Sequence, residues 1–311
     1  MIGLGIMGSA MSANLMRVGY RVVGYDVIAR RRQDHRQAGG TIARSCREIG
    51  SRANIIICSL PSSDALLQTA AELAKARRRS PLPQRQGHQR GSPQIVIETS
   101  TLPIAAKQEA RRTLGARGTI LLDCPLSGTG AQARAKDLVV YASGDRRAYR
   151  GAIPILEAFA RAHYYVGAFG AGSKTKFAAN LLVAIHNVAT AEALVLAMKA
   201  GLDPAMALKV IADGAGSSRM LQVRGPMMVK GDYSDATMKL EVWQKDMTVI
   251  ADFAREVGCP TPLFAASAPI YSAAMAMGRQ AEDTGAVCAV LEKMAAVKRA
   301  SSKFKVRSFY L

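Results

Sequence analysis

Aromatic residues make up only 5% of this 311-residue chain, which has one tryptophan, four histidines and five cysteines. The cysteines (Cys46, Cys58, Cys124, Cys259 and Cys288) are odd in number, widely scattered and without a Cys-x-x-Cys pair. Disulfide frameworks and zinc sites need paired or clustered thiols, so neither is expected, no metal is expected, and a reducing cytoplasm is the expected compartment. No basic segment leads into an apolar stretch ahead of the first glycine turn, so no secretory signal is read. Long apolar runs are lacking too. The nearest, Phe177 to Ala191, is interrupted by Asn180, His186, Asn187 and Thr190, which fits a buried helix better than a membrane span. Acidic residues are scarce, 23 Asp and Glu against 42 Lys and Arg, for a net charge of +19. That excess is concentrated in residues 27–36, 75–90 and 293–311, and the first two of these contain no aromatic residue to stack on a base. Solvated peripheral segments are the expectation, and a nucleic-acid partner is not.

What the chain does have is 49% apolar residues, enough for two packed cores. In its first half, short β-branched runs (Tyr20–Asp26, Ala53–Leu60, Gln94–Thr99, Ile120–Asp123, Leu138–Ala142) alternate with helical stretches such as Met7–Val18, Asp64–Ala76 and Ile104–Leu114. This alternation predicts an α/β fold, a Rossmann-type, mostly parallel sheet covered on both faces. From about Gly172 to Val297 only helical segments punctuated by Gly and Pro are found. The expected organisation is a dinucleotide-binding domain over 1–168, an all-helical domain for substrate and dimerisation over 169–300, and a basic tail over 301–311. Arg77–Ser92, dense in Arg, Gln and Pro, reads as an exposed insertion.

Gly3-Leu-Gly5-Ile6-Met7-Gly8 fits G-x-G-x-x-G. The first glycine makes the tight turn, the second lets the backbone approach a pyrophosphate, and the third lets the next helix pack on the sheet. That helix directs its free N–H groups at the phosphates. The strand that follows ends in Asp26, placed where a carboxylate would hold the ribose hydroxyl of NAD. Arg30, Arg31 and Arg32 just beyond leave NADP as the alternative. Only Met1 and Ile2 precede Gly3, so a short first strand is expected, with the danger of unpaired neighbours.

Three further motifs follow: Asp123-Cys-Pro125-Leu-Ser127-Gly128, then Gly170-Ala-Gly172-Ser-Lys-Thr-Lys176 with Asn180 four residues on, then Trp243-Gln-Lys245-Asp246. Together with the fingerprint, which extends to Asn14, they resemble the β-hydroxyacid dehydrogenases, in the family's order and over residues 1 to about 296. The family includes 3-hydroxyisobutyrate dehydrogenase and tartronate semialdehyde reductase. The resemblance implies a hydride transfer between a small hydroxy acid and NAD, with Lys176 as general acid/base and Ser127, Gly128 and Asn180 holding the substrate. It also places Leu60, Pro61, Thr101 and Lys245 beside the cofactor and Arg219 on the substrate side. The variant Ser127-Gly-Thr-Gly-Ala-Gln132 resembles the branch acting on L-threonate, which implies a sugar acid. Thr129 stands where a second glycine is usual.

The residues also carry chemistry of their own. Ser127-Gly128 follows an apolar strand, and α/β sheets bind ligands at that carboxyl end. Lys176 and Asn180 sit four apart, so they share one helix face, and Asn187 continues it. Apolar neighbours would make such a lysine give up its proton more readily, as acid–base catalysis requires. His163 and His186 have no carboxylate or serine pattern around them and read as structural. Two rival readings are an imine-reductase-like enzyme, which Lys176 disfavours, and a non-catalytic cofactor-binding scaffold, which intact Ser127, Lys176 and Asn180 disfavour. The long helix and apolar second half predict a homodimer or homotetramer.

Overall fold

The computed structural model describes residues 1–76 and 93–299, so Arg77–Ser92 and Ser301–Leu311 lie outside the described residues. The chain divides into two compact units, Met1–Asn180 and Leu181 onward. The first turns of a long helix, up to Asn180, thus group with the sheet.

The first unit is built from β/α alternation. Its elements are α1 (Ile6–Arg17), β1 (Val23–Gly24), α2 (Ala29–Gln37), β2 (Thr41–Ile42), α3 (Cys46–Arg52), β3 (Ile55–Cys58), α4 (Ser63–Ala76), β4 (Gln94–Glu98), α5 (Ile104–Gly115) and β5 (Thr119–Asp123). They are followed by β6 (Leu126–Ser127), α6 (Gly130–Arg134), β7 (Val139–Ala142), α7 (Arg146–Phe159), β8 (Ala162–Tyr165) and the start of α8 (Ala171–Lys199). Strands β1 and β2 pair in parallel, as do β3, β4 and β5 in that order. Ile2 makes parallel bridges to both Tyr25 and Cys58 and so joins the two groups. An antiparallel bridge between Asp123 and Ser143 carries the sheet on to β7, flanked by antiparallel β6 and parallel β8. The result is the doubly wound order, whose ligand crevice lies outside the strand ends where the order reverses, between Ile2 and β3.

Next to the turn, Met1 and Ile2 pair with the strands on both sides. The Met1 nitrogen donates to Val23 O at 2.7 Å, and Tyr25 N donates back to Met1 O at 2.9 Å. On the other side Ile2 N reaches Ile57 O at 2.8 Å, and Ser59 N reaches Ile2 O at 2.9 Å. β4 is buried along its whole length, as expected for a strand covered on both faces.

The second unit holds the rest of α8 and then α9 (Pro204–Asp213), α10 (Arg219–Lys230), α11 (Leu240–Glu256), α12 (Pro262–Ala276), a 3-10 turn (Thr284–Ala286) and α13 (Val287–Met294). Helix α8 is long and apolar enough to cross a membrane by length and composition. Its buried Lys176, Asn180 and Asn187 are the mark of an internal helix instead. A buried ion pair fastens this unit: Arg224 Nε donates to Asp283 Oδ1 at 2.8 Å, and Thr237 N and Met238 N donate to Asp283 Oδ2. Asn187 is spent here, its Nδ2 donating to Tyr271 OH at 3.2 Å and Thr284 Oγ1 at 3.4 Å.

Burial works to raise the Asp283 carboxyl, but Arg224 and the hydrogen bonds from Gly285 and Thr237 outweigh it and hold it below its ordinary value. A depressed carboxyl contributes stability that is present above its unfolded value, about pH 4, and is lost as pH falls through the folded value. Urea unfolding should therefore show stability falling below about pH 4, with a shallower fall in Asp283→Asn. Asp283→Ala, which strands a buried guanidinium, should cost about 3–5 kcal/mol at neutral pH.

Candidate active site

The fingerprint turn is shaped by close approaches. Gly3 has φ +84, and a Cβ there would sit 2.1 Å from Ser59 O. A Cβ on Gly8 would sit 1.9 Å from Gly3 O, so α1 packs directly on the turn. Gly5 differs: among the described residues, the only atom within 4 Å of its hypothetical Cβ is Arg31 Nη1 at 3.9 Å. Gly5 is also the N-cap of α1 and makes no side-chain cap bond. Open space in front of an uncapped helix start is a cradle for an anion such as a pyrophosphate. Ile6 is exposed and Met7 half-buried on that first turn.

Asp26 closes the crevice on one side. Its Oδ2 accepts from Leu4 N at 2.8 Å and its Oδ1 from Ile28 N at 2.9 Å, which fixes the carboxylate at the end of β1. Arg31 Nη1 lies 3.4 Å from Oδ2, while Arg32 donates to the Asp26 carbonyl at 2.6 Å. On the other side Leu60 lies against the Gly3 turn, and Leu60 N donates to Ser100 Oγ at 2.7 Å. Pro61 is exposed and Thr101 half-buried on these two loops. The residues present therefore fit a dinucleotide: turn, anion cradle, ribose carboxylate and two flanking loops.

Next to this crevice lies the second motif. Ser127 and Gly128 are half-buried at the end of β6, and a Cβ on Gly128 would press on Leu138 Cδ2 at 2.7 Å. Thr129 caps α6 in a capping box with Gln132. Its departure from the family's usual glycine thus has a local reason. Helix α6 packs against α1 so tightly that a Cβ on Gly130 would meet Ile6 Cγ2 at 2.4 Å. Asn14 Nδ2 seals the contact by donating to Ala133 O at 2.7 Å. Helix α1 and the start of α6 are thus braced together. Cys124, inside the motif, is no nucleophile: burial, with Asp123 beside it, raises its thiol far above the ordinary value.

The third motif starts α8. A Cβ on Gly172 would lie 2.4 Å from Tyr141 O and 2.7 Å from Asp123 O, so only glycine lets the helix start against the strand ends. Lys176 and Asn180 are buried, at 9% and 3% exposure, on the face that also carries Ser173. A lysine so enclosed is not a solvated helix-end residue. The fingerprint, Asp26, Leu60, Pro61, Thr101, Ser127, Gly128, Lys176 and Asn180 all belong to the first unit. Arg219 and Lys245 belong to the second: Arg219 is exposed at the start of α10, with Nη1 3.4 Å from Gln222 Oε1, and Lys245 Nζ lies 3.4 Å from Asp246 Oδ1.

Comparison with known proteins agrees with this geometry. A family model for the NAD-binding domain of 6-phosphogluconate dehydrogenase matches residues 1–167. A second, for the NAD-binding region of NADP-dependent 3-hydroxyisobutyrate dehydrogenase, matches 170–291. L-threonate dehydrogenase of Cupriavidus necator is 33% identical over 92% of this chain and 93% of its own. The chain belongs to the β-hydroxyacid dehydrogenase family. As a β-hydroxyacid dehydrogenase it is an oxidoreductase of CH–OH groups that uses NAD or NADP. Among solved structures of the family, Mycobacterium tuberculosis 3-hydroxyisobutyrate dehydrogenase with L-serine superposes with a TM-score of 0.81 at 28% identity, covering 93% of this chain and 97% of that one. The Salmonella typhimurium 3-hydroxyisobutyrate dehydrogenase gives 0.79 at 28%, covering 93% and 98%.

The glycines of the fingerprint make a paired prediction. Gly5→Ala should leave the fold within about 1 kcal/mol while weakening NADH binding at least tenfold, because its methyl fills the cradle alone. Gly8→Ala should lower the melting temperature, because its methyl collides with backbone. Thermal melts beside NADH fluorescence titrations check both.

Proposed function

We propose that this dehydrogenase oxidises a small sugar acid of the L-threonate type with NAD, using Lys176 as the proton acceptor. The observation that carries the reading is the burial of Lys176 and Asn180 on one face of α8, in the unit that also holds Ser127–Gly128 and the fingerprint. The L-threonate substrate rests on the Cupriavidus necator relative and on the Ser127-Gly-Thr-Gly-Ala-Gln132 variant. The carboxylate at Asp26 favours NAD, since it would repel a 2′-phosphate.

When bound, the nicotinamide supplies the acceptor for the hydride. The chain supplies the rest. Neutral Lys176 takes the hydroxyl proton as the carbinol C–H bond breaks, and the ammonium returns a proton in the reverse direction. Asn180 and the Ser127 hydroxyl orient the acid, and the backbone at Gly128 leaves room for its carboxylate. Arg219 and Lys245 would add contacts to the acid and the cofactor. With all five cysteines unpaired as free thiols, a reducing cytoplasm is the proposed compartment.

NADH production should be measured from L-threonate, D-glycerate and 3-hydroxyisobutyrate. Turnover is expected on L-threonate, with kcat falling about 10²–10⁴-fold in Lys176→Ala at unchanged NADH affinity. Turnover unaffected by that substitution would remove Lys176 from the chemistry. A homodimer or homotetramer is also proposed, on the strength of exposed Leu196, Leu202, Met206, Val210 and Met294 in the second unit. Light scattering should find a species heavier than the 33.1 kDa chain.

A further inference from the structure

Behind the proposed catalytic lysine, three charged side chains are buried together. Lys107 Nζ, on α5, lies 2.6 Å from Glu98 Oε2 and 2.8 Å from Asp123 Oδ1, and it also donates to Ser100 O at 2.7 Å. All three side chains are 0% exposed. Burial alone would pull the Lys107 ammonium down, but Asp123 and Glu98 together outweigh it and hold it above its ordinary value. Two carboxyl groups face one ammonium inside the sheet, so oxygens are left that Lys107 alone does not meet. Such buried oxygens are costly unless something positive or polar meets them.

What meets those of Asp123 is the first turn of α8. Ser173 N donates to Asp123 Oδ2 at 2.8 Å and Ser173 Oγ donates to Oδ1 at 2.8 Å. Ser143 Oγ lies 3.1 Å from Asp123 Oδ2 and accepts from Gly172 N at 2.9 Å. The carboxylate thus sits at the positive end of the helix and accepts the Ser173 N–H, while the Ser143 hydroxyl bound to it accepts the Gly172 N–H. Ser173 is three residues before Lys176, one turn away on the same face.

We propose that the buried Glu98–Lys107–Asp123 cluster is a positioning device for catalysis, gripping the first turn of α8 through Ser173 and Gly172 and thereby setting the rotation and height of Lys176 and Asn180. The inference rests on the catalytic role proposed above for Lys176. Its logic is that reacting groups lose about a hundredfold in rate for a misplacement of about 1 Å, so a helix carrying the proton acceptor needs a rigid anchor. Lys107 fixes the carboxylate of Asp123 from behind, Glu98 fixes Lys107, and Asp123 fixes the helix. None of the three needs to touch substrate or cofactor.

The test uses the whole protein and three variants: Asp123→Asn, Ser173→Ala and Ser143→Ala. Ser173→Ala is the mild one, since it removes a single hydroxyl and keeps the Ser173 N–H bond. Expected for Asp123→Asn is a kcat loss of about 10–100-fold per folded site, with NADH affinity and the KM for the acid changed less than about threefold. Ser173→Ala and Ser143→Ala should each give a smaller loss of the same kind. Hydrogen exchange across residues 172–177 should speed up in step with kcat. Variants that melt lower but keep wild-type kcat and wild-type exchange in 172–177 would overturn the proposal. If the wild type turns over no acid, the reading of the reaction fails; the exchange measurement still decides whether the cluster grips α8.

Discussion

Met1 and Ile2 lie between β1 and β3, pairing with Val23 and Tyr25 on one side and with Ile57 and Ser59 on the other. The rest of the ligand end depends on that slot being filled. The Gly3 turn can form only against the Ser59 carbonyl, and α1 can pack only against the Gly3 carbonyl. The cradle at Gly5, the carboxylate at Asp26 and the bracing of α6 on α1 then follow in sequence. These bonds pair the backbone on both sides of the turn itself.

The two ends of the site are built on different physics. At the cofactor end the structure relies on the lack of side chains, so that backbone approaches backbone and leaves room in front of a helix. At the start of α8 it relies on buried charged side chains, with Asp123 shared between Lys107 and the helix. Glycine and aspartate thus do comparable work: each lets a helix begin hard against a sheet, the first by removing a clash, the second by accepting the Ser173 N–H.

Much of this was legible in the sequence because it is local. The G-x-G-x-x-G spacing, the four-residue step from Lys176 to Asn180 and the alternation of strand and helix all lie within one or two elements. Short edge pieces were not legible. β2 and β6 have two residues each, too few to show alternation, and the strand β8 is read from its pairing with β7. The Glu98–Lys107–Asp123 cluster left no trace either, since its members come from three elements and lie far apart in the chain. The resemblance marks Thr101, whereas Glu98 three residues earlier carries no signal for its contact with Lys107.

The carboxylate of Asp26 is held by Leu4 N and Ile28 N, two backbone donors of its own chain. A carboxylate fixed by its own backbone adds little to the entropic cost of association. The same rigidity limits adaptation. Swinging Asp26 aside for a bulkier, doubly charged ribose would forfeit two backbone hydrogen bonds, while the half-exposed Arg31 beside it is free to choose new rotamers. Preference between the two dinucleotides would therefore drift through the arginine long before it moved through the aspartate.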